Sequence, residues 1–174
     1  ALELLGPALP TGVFSNEEMH KRLAEIFSQP GRSNDFRALQ SLRGSRLTLI
    51  ATNLDSGESA PFGSPGWEHV LISKAVQASS ALPGLFPPVE IGEHYFVDGA
   101  LKKTLHASVA LEQGMDLVIC LNPLVPFDAL HARPAVMQRG LPKERQKIPR
   151  ITAGGLPAVL SQTFRSMIHT RLEM

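Results

Sequence analysis

Asp98 is the residue of this sequence best placed to do chemistry. It closes the apolar run 95–97 and is followed at once by Gly99 and Ala100. A carboxylate at a strand end sits on a rigid support, and a following glycine leaves room for a ligand beside the backbone. Such a group can take a proton from a hydroxyl if burial lifts its basicity. Free in water, with a pKa of about 4, an aspartate is a weak base toward an alcohol. Asp-Gly is also an ordinary turn pair, so the dipeptide alone reads first as a turn.

A hydroxyl partner is harder to find. No Gly-X-Ser-X-Gly segment occurs in the 174 residues, so no serine has the strained strand-to-helix elbow that exposes a nucleophile. Ser79 and Ser80 lack elbow glycines and fit as small packing residues of a helix. The six histidines (His20, His69, His94, His106, His131 and His169) show no His-Glu-X-X-His or other ligand spacing, and there is a single cysteine. No metal is expected from that set. His106, eight residues past Asp98, reads as a helix-start histidine rather than a catalytic one. Lys102 and Lys103 read as a solvated pair after a turn, although they could meet an anionic headgroup. No glycine loop cradles a phosphate. Trp67 and Tyr95 are too isolated to stack bases, and a net charge of +1 supplies no field for nucleic acid.

The elements that must hold Asp98 follow from periodicity. Ser15 to Glu18 has the form of a capping box. Beyond it, Met19, Leu23, Ile26 and Phe27 share one helical face before Pro30-Gly31. Residues 46–52 are β-branched and apolar and predict a strand. The Asp55-Ser56-Gly57 turn leads into a short second strand ending near Phe62, and residues 63–69 form a Gly/Pro loop. Residues 72–82 predict a helix whose small residues, among them Ala75, Ala78 and Ala81, suit close packing. Residues 89–91 and 95–97 flank Gly92-Glu93-His94 as a hairpin. Residues 104–113 predict a helix ended by a left-handed Gly114. Residues 117–121, continuously apolar, predict a strand buried on both faces, with Cys120 an inert buried thiol.

Composition bounds the rest. At 43% hydrophobic and 19% charged the chain can bury a core and is unlike a disordered one. No stretch reaches membrane-spanning length, and no signal peptide opens the chain. Residues 133–150 hold six Arg or Lys against one acid, with three prolines, and read as a loop or linker able to touch acidic membrane surface. Leu156, Leu160, Phe164, Met167, Ile168 and Leu172 mark an amphipathic helix. The chain starts without Met and ends inside that helix, as expected of a piece of a longer protein.

The run ISKAVQASSALPGLFPPV at 72–89, then YFVDGA at 95–100, resembles the second half of a patatin-like phospholipase domain. LIATNLDSGE at 49–58 looks like that family's strand and turn before the helix, and DLVICLNP at 116–123 like its next core strand. The resemblance runs in order from about Thr11 to Asp128. It implies a three-layer α/β domain with a mostly parallel central sheet, incomplete at the N-terminus.

It also implies a chemistry. The family uses a Ser-Asp dyad without histidine, the serine in a Gly-X-Ser-X-Gly elbow and the aspartate in an Asp-Gly-Gly or Asp-Gly-Ala motif. Asp98-Gly99-Ala100 matches the second motif residue by residue, so Asp98 would orient and deprotonate the serine. The elbow and the family's Gly-rich oxyanion loop are both missing; the only glycine pair, Gly154-Gly155, lies after the aspartate. The nucleophile is expected before Ala1, and the 174 residues alone are expected to be inactive.

The organisation expected is therefore a partial catalytic domain over 1–128, a basic Pro-rich linker over 129–155 and the start of an amphipathic helix over 156–174. The implied substrate is a phospholipid or other acyl-ester lipid, met at a membrane surface, without cofactor, metal or nucleic acid. A cytoplasmic or membrane-peripheral location fits, and nothing in the residues sets an oligomeric state. A non-catalytic scaffold of the same fold, binding lipid or protein, is the alternative.

Overall fold

A computed structural model describes residues 12–103 and 105–121, together with residues 155, 159, 160, 162 and 163. The chain divides into two compact units, Ala1–Cys120 and Leu121–Met174.

Among the described residues of the first unit, four α-helices and four strands appear in the order α1 (Glu17–Phe27), α2 (Phe36–Arg43), β1 (Leu49–Asn53), β2 (Ser59–Phe62), α3 (Ile72–Ser79), β3 (Val89–Ile91), β4 (His94–Asp98) and α4 (Ala107–Glu112). The strands form one sheet in the order β2-β1-β4-β3. Every pairing in it is antiparallel. The expected mostly parallel sheet is therefore corrected for the described residues, where the one parallel contact is an isolated bridge between Gly12 and Gly84. The reason lies in the connections. The Asp55–Gly57 turn and the Gly92-Glu93 turn are too short for a crossover, so each must return its strand antiparallel.

Register decides which side chains meet. Ala51 lies opposite Ala60 and Asp98, Leu49 opposite Phe62, and Val89 opposite Phe96. Directly opposed residues share a sheet face. One face thus carries Phe62, Ala60, Ala51, Phe96 and Val89, all buried in the core, and Asp98 sits at its end. Helix α3 covers this face with Ile72, Ala75 and Ala78, the last two fully buried. Its small residues let the helix approach the strands closely, as expected from their spacing. Phe62 anchors the core through edge-on contacts to Trp67 and Phe96, at centroid distances of 5.3 and 5.4 Å.

Two local readings change. Helix α1 begins at Glu17 with Asn16 as its N-cap, and the Asn16 side chain makes no capping bond. Ser15 Oγ accepts from Glu17 N at 3.2 Å, while Glu18 turns outward to Lys21. The box fails because Asn16 is drawn into a buried pair. Its Nδ2 donates to the Gln77 carbonyl and its Oδ1 accepts from Gln77 Nε2, each at 3.1 Å. Gln77 Nε2 also donates to Glu17 Oε2 at 2.9 Å, and this bond holds the Glu17 carboxyl below its ordinary pKa. Helix α1 is thereby locked onto α3. Residues 117–121 form no strand; Leu117 and Ile119 are 79% and 80% exposed, and Cys120 is exposed rather than buried. Continuous apolarity gives a segment the capacity to be a buried strand. Burial itself needs a neighbouring edge to pair with, and residues 117–121 pair with none of the four strands.

Helix α4 ends as expected, with Gly114 at φ +83°. In the second unit, residues 159–160 and 162–163 are helical, and Thr163 Oγ1 donates to the Val159 carbonyl at 2.9 Å. The basic segment 133–150 lies outside the described residues. No described helix is long and apolar enough to cross a membrane.

The Asn16–Gln77 pair can be weighed against the cap. Asn16→Ala is expected to cost about 1–3 kcal/mol because it removes two buried hydrogen bonds to Gln77. Ser15→Ala, at an exposed site, is expected to stay within about 0.5 kcal/mol. Urea unfolding of the two variants checks the ranking, and equal losses would return the role to Ser15.

Candidate active site

Asp98 is the last residue of β4, and three bonds fix its backbone and side chain. Its N–H donates to the Ala81 carbonyl just past α3 at 3.0 Å. Its carbonyl accepts from Thr52 Oγ1 of β1 at 3.2 Å. Its Oδ1 accepts from the Ala100 amide at 2.8 Å and so caps the short 3-10 turn Gly99–Leu101. Among the described residues no hydrogen bond engages Oδ2. The carboxylate is thus anchored through Oδ1.

Gly99 explains why the turn must carry glycine. It is buried, and a Cβ there would lie 2.5 Å from the Ile50 carbonyl oxygen and 3.3 Å from His106 Nε2. No side chain fits that gap, so the turn lies directly against β1. The Ile50 carbonyl also accepts from Ser79 Oγ at 2.8 Å. Ser80 Oγ bonds the Val76 and Gln77 carbonyls of its own helix at 2.8 and 3.2 Å. Both serines therefore donate to backbone carbonyls.

The electrostatics follow from burial. Removal from water pushes the Asp98 carboxyl above its ordinary 3.8, against the opposing pull of the Ala100 amide and of His106. Raised basicity is what a proton-accepting carboxylate needs. His106 is held below its ordinary 6.5, again chiefly by burial, although the Gly99 carbonyl pulls the other way. At neutral pH the imidazole is therefore uncharged. Its Nε2 lies 3.1 Å from the Gly99 carbonyl oxygen. That oxygen can only accept, so Nε2 carries the hydrogen.

A model of the patatin-like phospholipases matches residues 1–111, well over half of the chain and inclusive of Asp98, Gly99 and Ala100. The chain belongs to the patatin-like phospholipase family. Among curated proteins, uncharacterized NTE family proteins of Mycobacterium bovis and of Mycobacterium tuberculosis strains CDC 1551 and H37Rv are each 45% identical to it over 51 residues. That stretch is 29% of this chain and 9% of each relative, so the chain spans a small part of the length of the relatives it matches.

Within this patatin-like domain the structure brings together Asp98, Gly99, Ala100 and His106. Lys103 turns to Ser108, its Nζ 3.3 Å from Ser108 Oγ. Among the described residues no group of three or more His, Cys, Asp or Glu is placed to hold a metal. Two contributors escaped sequence reasoning. Thr52 was read only as part of a strand; that its hydroxyl reaches across to Asp98 depends on the β1–β4 register. His106 reads from the sequence as a helix-start histidine rather than a catalytic one. Its spacing from Asp98 hinted at proximity, but the contact needs the chain to fold back through the 3-10 turn.

The direction of the Asp98 shift gives a sign. With a folded pKa above 3.8, the native state binds the proton more tightly than the unfolded chain. The contribution to stability is full below 3.8 and is lost as pH rises through the raised value. Asp98→Asn, which cannot ionise, is expected to melt higher than the parent at pH 7, with the difference closing as pH falls toward 3.8. Calorimetry across that range checks this; a lower melting temperature for Asp98→Asn at pH 7 counts against a desolvated carboxylate.

Proposed function

We propose that this chain supplies the aspartate half of a Ser-Asp dyad in a lipid acyl hydrolase, with Asp98 as the base. The observation that carries the reading is the state of that side chain. It ends a core strand, is desolvated enough to be more basic than usual, is anchored through Oδ1 to the Ala100 amide, and lies in the Asp-Gly-Ala motif. Membership of a phospholipase family supports lipid esters as the substrate class.

In this mechanism Asp98 takes the hydroxyl proton of a serine standing outside these 174 residues as its oxygen attacks the ester carbonyl. The carbonyl becomes a tetrahedral oxyanion, then collapses, the alkoxide leaving group departing with the proton returned by Asp98. The acyl-serine ester that remains is attacked by water, whose proton passes to Asp98 in turn. Release of the fatty acid restores both groups. Oδ2 is the oxygen assigned to the proton, since Oδ1 is committed to Ala100. The substrate is met at a lipid aggregate or membrane surface, and the role of the Ala1–Cys120 unit is to present one carboxylate rigidly.

The test joins these residues to the segment bearing Gly-X-Ser-X-Gly. In that protein Asp98→Asn is expected to lower hydrolysis of p-nitrophenyl esters and phospholipid by about a hundred- to ten-thousandfold with the fold intact. The 174 residues alone are expected to give no turnover. Near-normal rates for Asp98→Asn, or activity of the 174 residues that Ser79→Ala or Ser80→Ala abolishes, would overturn the assignment.

A further inference from the structure

We infer that His106 is a positioning residue for Asp98: by gripping the Gly99 carbonyl it fixes the turn whose amide holds the carboxylate. The inference rests on the reading of Asp98 as the base, and on three observations.

First, the Gly99 carbonyl oxygen is the hub of the turn. It accepts from Lys102 N at 3.1 Å, from Lys103 N at 3.3 Å and from His106 Nε2 at 3.1 Å. The two amides belong to the turn itself. The imidazole is the one side chain among the three donors, and it reaches back from the N-cap of α4. Second, the same residue has no room to shift toward β1, since a Cβ on Gly99 would meet the Ile50 carbonyl oxygen at 2.5 Å and the imidazole at 3.3 Å. The contact with β1 and the His106 hydrogen bond thus act together as a clamp on Gly99. Third, the clamp lies one residue from each end of the bond that matters, Ala100 N to Asp98 Oδ1 at 2.8 Å. A peptide that cannot rotate fixes the Ala100 amide, and that amide selects the carboxylate rotamer.

A histidine suits the task because its ring is flat, stiff and able to donate from Nε2 while neutral. The charged groups around it are Asp98 on β4 and Lys102 and Lys103 on the turn. Together with Arg46, before β1, His106 lines a cavity of about 630 Å³, beside Ile50, Val109 and Met115. Because it does not bond the carboxylate, it leaves Oδ2 to its partner.

His106→Ala removes the donor. His106→Gln retains an N–H at comparable reach and serves as the conservative variant. Two readouts apply. In the 174-residue chain, a ¹³C titration of the Asp98 carboxyl and hydrogen exchange at Ala100 N need no activity. His106→Ala is expected to lose protection at Ala100 and to titrate Asp98 at higher pH, because the pull of the nearby imidazole is gone. His106→Gln is expected to keep the Ala100 protection. In the elbow-bearing protein His106→Ala is expected to lower kcat by about ten- to a hundredfold with KM within about twofold, the pattern of a misplaced group. His106→Gln should stay within about threefold of the parent. Unchanged Ala100 protection and Asp98 titration in His106→Ala would overturn the inference, as would Gln and Ala variants equally impaired in kcat. If Asp98→Asn proves active, the base assignment falls by that result, whereas the two spectroscopic readouts still judge the clamp.

Discussion

The close passage of Gly99 beneath the Ile50 carbonyl is the constraint on which the site depends. A gap that a Cβ would close to 2.5 Å admits only glycine, and it brings the turn after β4 flat against β1. Much follows from that contact. The Ile50 carbonyl keeps a donor, Ser79 Oγ, which joins the end of α3 to the same point. The Asp98 N–H finds the Ala81 carbonyl just beyond α3, and Thr52 reaches the Asp98 carbonyl from β1. One sheet, one helix end and one turn meet within a few bonds of a single carboxylate. Widening the gap would slacken all of these together, because they share backbone atoms.

That arrangement sets stability against reactivity. The register places Asp98 on the sheet face that α3 covers, in line with Ala51 and Phe96. Half-buried there, a carboxylate costs the fold part of what water would have given it. The Ala100 amide returns part of that through Oδ1. Full satisfaction, by two or three amides, would lower the pKa and leave a poor base. For the base proposed here, incomplete solvation is the chemically useful state, and the rigid surroundings are what make it tolerable.

Much of this was legible in the residues. Apolar alternation and turn chemistry placed β1, β2 and the β3–β4 hairpin to within a few positions, and Gly114 marked the end of α4. The motif Asp98-Gly99-Ala100 was visible outright. Helix α2 went unread although its signals are present: Asp35 accepts from Ala38 N at the N-cap, and Gly44 ends it in the left-handed region. Other features were not legible because they are non-local. Whether Ser15 or Asn16 caps α1 depends on Gln77, sixty-one residues away from Asn16. Strand direction depends on which edges pair, and apolarity along 117–121 says nothing of a partner edge. The Thr52 and His106 contacts arise from register and from chain reversal, neither of which a pattern of residue types encodes.

A comparison within the molecule shows how much the non-local part matters. Asp55 also follows a strand and precedes a glycine by two positions, in Asp55-Ser56-Gly57. Its backbone is set by a local device, Asn53 Oδ1 accepting from the Asp55 and Ser56 amides at 2.8 and 3.3 Å. Its carboxylate binds Tyr95 N at 3.0 Å and approaches His94 Nδ1 at 3.3 Å, yet its side chain remains 48% exposed. Nothing packs over it, so water competes for every interaction. Asp98 has a local anchor of the same kind, an amide two residues on. The difference is the cover that β1 and the end of α3 provide. An aspartate beside a glycine is therefore only a turn until a second strand is pressed against it, and Gly99 is the residue that lets that strand come close.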